Sequence, residues 1–132
     1  MSARINSTLK IGLLGNVLFS LICALVLIVF SGPLATYLGI PDAGTLTFIG
    51  VGLLPFAAHL LVALRRKNPR VGEIYYLSAM DGMWVAASAV VLVFGLVPLT
   101  VAGLWVVGLV ALAVADFMVV QLIGVRKIQM AA

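Results

Sequence analysis

Charge is what this sequence has least of: Asp, Glu, Lys and Arg make up 9% of its 132 residues, against 64% hydrophobic side chains. So little charge cannot clothe an ordinary water-facing surface. Cysteine is nearly absent as well. Cys23 stands alone, which excludes an intrachain disulfide and a dithiol redox motif, and with them the quinone-linked thiol oxidases. Histidine is also single, at His59, so no Cys and His cluster at metal spacing, and a haem would need a second axial ligand from another chain. There is no glycine-rich phosphate loop between strand and helix, no nucleophile elbow and no pair of carboxylates outside apolar sequence. Ser78 or Ser88 near His59 is the one arrangement that sets a nucleophile beside a base, and nothing else supports it. The expectation is a protein that is not an enzyme and that holds no cofactor and no metal.

What the chain has instead is long apolar runs. A helix crossing hydrocarbon needs about 20 mostly apolar residues, and four such spans fit, at 9–31, 45–64, 74–95 and 99–125. They predict an all-α fold, an antiparallel four-transmembrane-helix bundle forming one integral membrane domain over residues 1–132. The start of the chain resembles a secretory signal, with basic residues before an apolar run. The run exceeds a signal core and three more spans follow it, so an uncleaved first helix is expected.

The basic residues are sorted by loop. Arg4 and Lys10 precede or open the first span, Arg65, Arg66, Lys67 and Arg70 fill the second connection, and Arg126 and Lys127 follow the fourth span. The connections SGPLATYLGIPDAG and GLVPLT carry no cation. Under the positive-inside rule both termini and the middle loop are cytoplasmic and the protein is integral to the cytoplasmic membrane. Anionic lipid headgroups account for the positive balance. Nucleic acid is not an expected partner, because no basic residues alternate with aromatics in a polar domain.

Within this frame the stretch YYLSAMDGMWVAASAVVLVFG stands out, since it buries Asp81 in a span. Counting inward from the cytoplasmic ends, Asn16 lies six residues past Lys10, His59 six before Arg65, Asp81 seven into the third span and Gln121 five before Arg126. At about 1.5 Å per residue these four share one depth, on the order of 8 to 11 Å inside the boundary. Ionisable groups in hydrocarbon cost several kcal/mol unless they are paired. A common polar layer reduces that cost, with Asp81 and His59 as a hydrogen-bonded pair, Asn16 and Gln121 completing the network, and Ser20 and Ser88 extending it. Trp84, one turn from Asp81, either points its indole donor into the layer or fills space. His59 admits structural hydrogen bonding, proton handling, or metal or haem ligation. Asp116, ten residues before Arg126, falls near the midplane, as a coupling acid for transport or as a structural hydrogen-bond donor. Tyr75 and Tyr76 sit where an interfacial aromatic belt is expected, and Trp105 is read as lipid-facing or packing.

Small residues recur on stripes that permit close helix approach: Gly12 and Gly15, Gly50 and Ala58, Ser78, Gly82 and Ala86, and Gly108, Ala111 and Ala115. Shifting the first half of the chain by 65 positions lays Asn16 on Asp81, Phe19 on Trp84, Cys23 on Ser88 and Pro33 on Pro98. Two tandem hairpins related by an axis along the membrane normal would give this match. Apolar sequences also match by chance.

The phrases NVLFSLICALVLI, PLATYLGIP, the Asp81-x-x-Trp84-Val85 run, Ser88 and FMVVQLIG together resemble a family of small bacterial four-helix integral membrane proteins to which no activity is assigned. The resemblance implies the topology and a shared polar layer, and it implies no reaction. Asp116 departs from the pattern, because an apolar or small residue is frequent there. The small multidrug resistance transporters are similar in architecture alone: their first helix holds a mid-span Glu, where this chain has Asn16. Two functions remain open. One is an interaction or accessory subunit, or a self-assembling bundle, whose partners are lipid, other membrane subunits or copies of itself. The other is a proton-coupled carrier or channel for a small solute, with Asp81 and His59 as a relay and Asp116 as the coupling acid.

Overall fold

The computed structural model describes residues 4–131. Five helices follow in order: α1 (Ser7–Val29), α2 (Ser31–Leu38), α3 (Ala43–Arg65), α4 (Val71–Phe94) and α5 (Val101–Ala131). Four of them, α1, α3, α4 and α5, are long and apolar enough to cross a membrane.

The helix ends follow from residues with local chemistry. Asn6 caps α1, its side-chain oxygen accepting from the Leu9 amide at 2.8 Å, so one of the first-turn N–H groups is satisfied. Asp42 caps α3 in the same way through the Gly44 amide at 2.9 Å. Gly39 and Gly95 end α2 and α4 in the left-handed conformation, with φ of +82° and +59°, which a residue without Cβ adopts freely. α3 runs unbroken through Pro55.

The first uncharged connection differs from its expected form. Much of it is helical, as α2. Pro33 explains both the break from α1 and the restart: it has no N–H to give the Val29 carbonyl, yet its fixed φ suits the first turn of a new helix. Pro98 lies in the non-helical stretch between α4 and α5. The two prolines that the 65-residue shift aligns therefore occupy different local structures.

α1 is the central helix, packed on α3 along one side and on α5 along the other. α4 packs on α5 and barely meets α3, although a short loop joins them. Toward the basic end, Leu9, Leu13, Val17, Leu60, Ile74 and Val125 form one buried cluster drawn from all four long helices. Glycine sets the closest approaches. A Cβ on Gly124 would stand 2.7 Å from the Leu9 backbone, and one on Gly50 would stand 3.0 Å from the Ala24 carbonyl. Gly12 and Gly15 likewise let α1 lie against Gln121 and Phe117 of α5. At the opposite end the Thr100 amide donates to the Leu38 carbonyl at 2.9 Å, and its hydroxyl donates to the Tyr37 carbonyl at 2.7 Å. This clasp fastens α2 to the start of α5.

Candidate functional site

Where α1, α4 and α5 converge, five polar side chains are buried together: Asn16 and Ser20 of α1, Ser78 and Asp81 of α4, and Gln121 of α5. Asn16 is held there by the glycine-lined α1–α5 contact one turn before it, and Gly82 brings α4 against Met118 of α5. Asn16 Nδ2 donates to Asp81 Oδ2 and to Gln121 Oε1, both at 2.8 Å. Gln121 Nε2 donates to Asp81 Oδ2 at 3.2 Å and to Ser78 Oγ at 3.1 Å. Ser20 Oγ donates to Asn16 Oδ1 at 3.3 Å.

Both hydrogens of each amide are thereby used, and one carboxyl oxygen receives two of them. That oxygen accepts from both amides, so it fixes the sense of each. Turning either one over would set its carbonyl oxygen against the oxygen of Asp81. The cluster is thus directional as well as satisfied. Its buried state is what makes this matter: Gln121 is 0% exposed and Asp81 3%, and an unpaired polar group at such a place costs about 1–3 kcal/mol.

His59 is not part of this cluster, which corrects the expected Asp81–His59 pair. Its Nε2 lies 3.2 Å from Glu73 Oε2, and its side chain is 38% exposed. Arg66 donates to the same carboxylate, Nε to Oε1 at 3.0 Å and Nη2 to Oε2 at 3.4 Å. The His59 ring also lies against Tyr76, with centroids 5.8 Å apart. The cause is azimuth: α3 sits on the side of α1 away from α5, so equal depth does not bring His59 to Gln121. Glu73 is the residue the spans concealed. It opens α4 just before the expected span, beside the basic loop, where a carboxylate both favours the helix N-terminus and meets Arg66.

Ser88 and Trp84 also lie outside the network. Ser88 Oγ donates back to the Trp84 carbonyl at 2.8 Å, within its own helix, and does not extend the layer. The Trp84 indole N–H is buried without a partner, so it donates nothing to Asp81. Asp116 is on the exposed side of α5, away from the cluster. Ser78, expected only as a packing residue, is a member of the network.

No protein-family model, curated protein or solved structure matches this chain. The residues must therefore speak through their own chemistry. Among the described residues no three of His, Cys, Asp and Glu converge as a metal site would, and Cys23 is a free, half-buried thiol of α1. The buried cluster presents amide and hydroxyl groups already committed to one another. What such a set does well is fix which helix faces meet, because any rotation or slip of one helix breaks several hydrogen bonds at once.

Proposed function

We propose that the chain is an integral protein of a bacterial cytoplasmic membrane, a bundle of four crossings with both termini and the Arg65–Arg70 loop on the cytoplasmic side. Its role is that of an assembly module, an accessory subunit or a self-associating bundle, and it performs no reaction. The observation that carries this reading is the closed hydrogen-bond set around Asp81. Every amide hydrogen of Asn16 and Gln121 is spent within the set, so the polar residues serve to specify packing. The exterior supports the same view, being broadly apolar from end to end of the long helices.

The tandem-hairpin relation belongs to this reading as well. Asn16 and Asp81, 65 positions apart, bond each other directly, as equivalent residues across a central axis would. The two halves have diverged, since α1 packs on α5 while its counterpart pairing, α4 on α3, is slight.

A proton-linked carrier draws on a relay from His59 through Asp81 with Asp116 as the coupling acid. His59 is bonded to Glu73, and Asp116 faces outward, so the three groups form no chain. Reconstitution of the full chain in liposomes under an imposed pH gradient separates the two functions. Flux equal to that of empty liposomes is expected, with Asp81→Leu lowering the thermal midpoint in detergent. A proton flux that Asp81→Asn abolishes in a still-folded protein would overturn the module.

A further inference from the structure

α5 is the longest helix and the least covered. Of its apolar stretch 11% is buried within the chain, against 33% for α1. One side carries Gly103, Val114, Gln121, Gly124, Val125 and Ile128 into the interior. The other presents Trp105, Leu112, Val119 and Ile123, from 46% to 68% exposed, together with Gly108 and Asp116. These six lie within one narrow arc of the helix, since residues at intervals of three, four and seven share a face.

Asp116 is the telling member. It stands fifteen residues from either end of α5, at the level where the bilayer is driest, and its neighbours on that face are apolar. An acid there is stable only against a hydrogen-bond partner. Every Lys and Arg of this chain is near a helix end at one side, so none of its own cations reaches that level.

We infer that this face of α5 is a parallel homodimer interface in which the two Asp116 carboxyls hydrogen-bond to each other. The inference rests on the assembly reading given above. A second copy is the occupant that the face itself specifies. Copies inserted by the same positive-inside rule run parallel, and a twofold axis along the membrane normal sets each residue opposite its own equivalent at its own depth. Two carboxyls sharing a proton are self-complementary, one donating and one accepting. Near the opposite end from Arg126, a groove of about 260 Å³ is lined by Leu104, Trp105, Gly108 and Leu109. Gly108 has nothing within 4 Å of the place a Cβ would take. Trp105 is one turn away, so the Trp105 indole of each copy packs over Gly108 of the other. Knob, hole and polar bond thus recur on one strip in a self-matching order.

The test uses the full chain in liposomes, with Cys23→Ser as background and single cysteines at Val119 on the α5 face or Met83 on the outer face of α4. Oxidation should yield a disulfide dimer from Val119→Cys at least tenfold more than from Met83→Cys. Adding Asp116→Asn should preserve it, because an amide both donates and accepts, whereas Asp116→Leu should reduce it about tenfold. Gly108→Phe should also abolish it, because a side chain can start there without meeting the chain itself within 4 Å of its Cβ and the ring would take the space assigned to the second copy. Cross-linking favoured at Met83 would overturn this interface while leaving the assembly role standing. So would a monomer, or loss of dimer in Asp116→Asn, since an amide can still donate and accept across the axis. Proton flux by the monomer would overturn both.

Discussion

Asn16 Nδ2 lies 2.8 Å from Asp81 Oδ2 and joins α1 to α4, two helices whose backbones do not otherwise meet. Their relation is carried by side chains reaching through the interior beside Gln121. The polar cluster therefore does for α1 and α4 what close backbone approach does for α1 and α3.

Asn16→Leu is expected to be more harmful than its apolar character suggests. It leaves Asp81 with one amide partner and Ser20 with none, and the cost is about 1–3 kcal/mol. Asp81→Asn keeps an acceptor of the same shape and should cost less. Reversible unfolding in mixed detergent micelles measures both, and an Asn16→Leu protein as stable as wild type would refute the structural role of the cluster.

The Gly124–Leu9 contact predicts a contrast between two glycines. Gly124→Ala places a methyl 2.7 Å from the Leu9 backbone, and forcing α1 and α5 apart should destabilise by about 1–3 kcal/mol. Gly52→Ala on α3 meets nothing within 4 Å. It should be neutral or stabilising by up to about 1 kcal/mol through helix propensity. The same unfolding assay reports the order.

Glu73 offers the opposite electrostatic regime from Asp81. Its partners His59 and Arg66 are 38% and 30% exposed, so water and salt screen the pairs. Glu73→Gln is expected to cost less than about 1 kcal/mol, and the difference should shrink as salt is raised toward about 1 M. The effect of Asp81→Leu should persist across that range. Stability measured at two salt concentrations distinguishes them.

Orientation is open to direct labelling. In a Cys23→Ser background, Asp42→Cys should react with an impermeant maleimide added to intact cells, and Asn68→Cys should react only after the membrane is opened. The reverse pattern would invert the assigned sidedness.

Apolar run length was enough to expect four long helices, because about 20 residues of one character leave few other structures open. α2 was hidden by Gly and Pro, which read as a loop although Pro33 opens that helix and Gly39 closes it. Counting from the basic ends placed Asn16, Asp81 and Gln121 at one height, and their side chains meet. Height says nothing of direction around the bundle, so it does not separate His59, which meets Glu73, from the residues that meet Asp81. Glu73 is not legible in the sequence as a partner of His59, because it stands at the edge of an apolar run, where a carboxylate is ordinarily solvated. Ser78 was legible only as a small residue, since its hydrogen bond to Gln121 depends on how α4 and α5 are rotated.

The fastening of α5 at its two tips restricts how the molecule can move. Thr100 grips Tyr37 and Leu38 at one extremity, while Asn6 donates to the Gly124 carbonyl at 2.9 Å and Lys127 to Thr8 at 3.1 Å toward the other. The rocking of one hairpin past the other would have to release both anchors together.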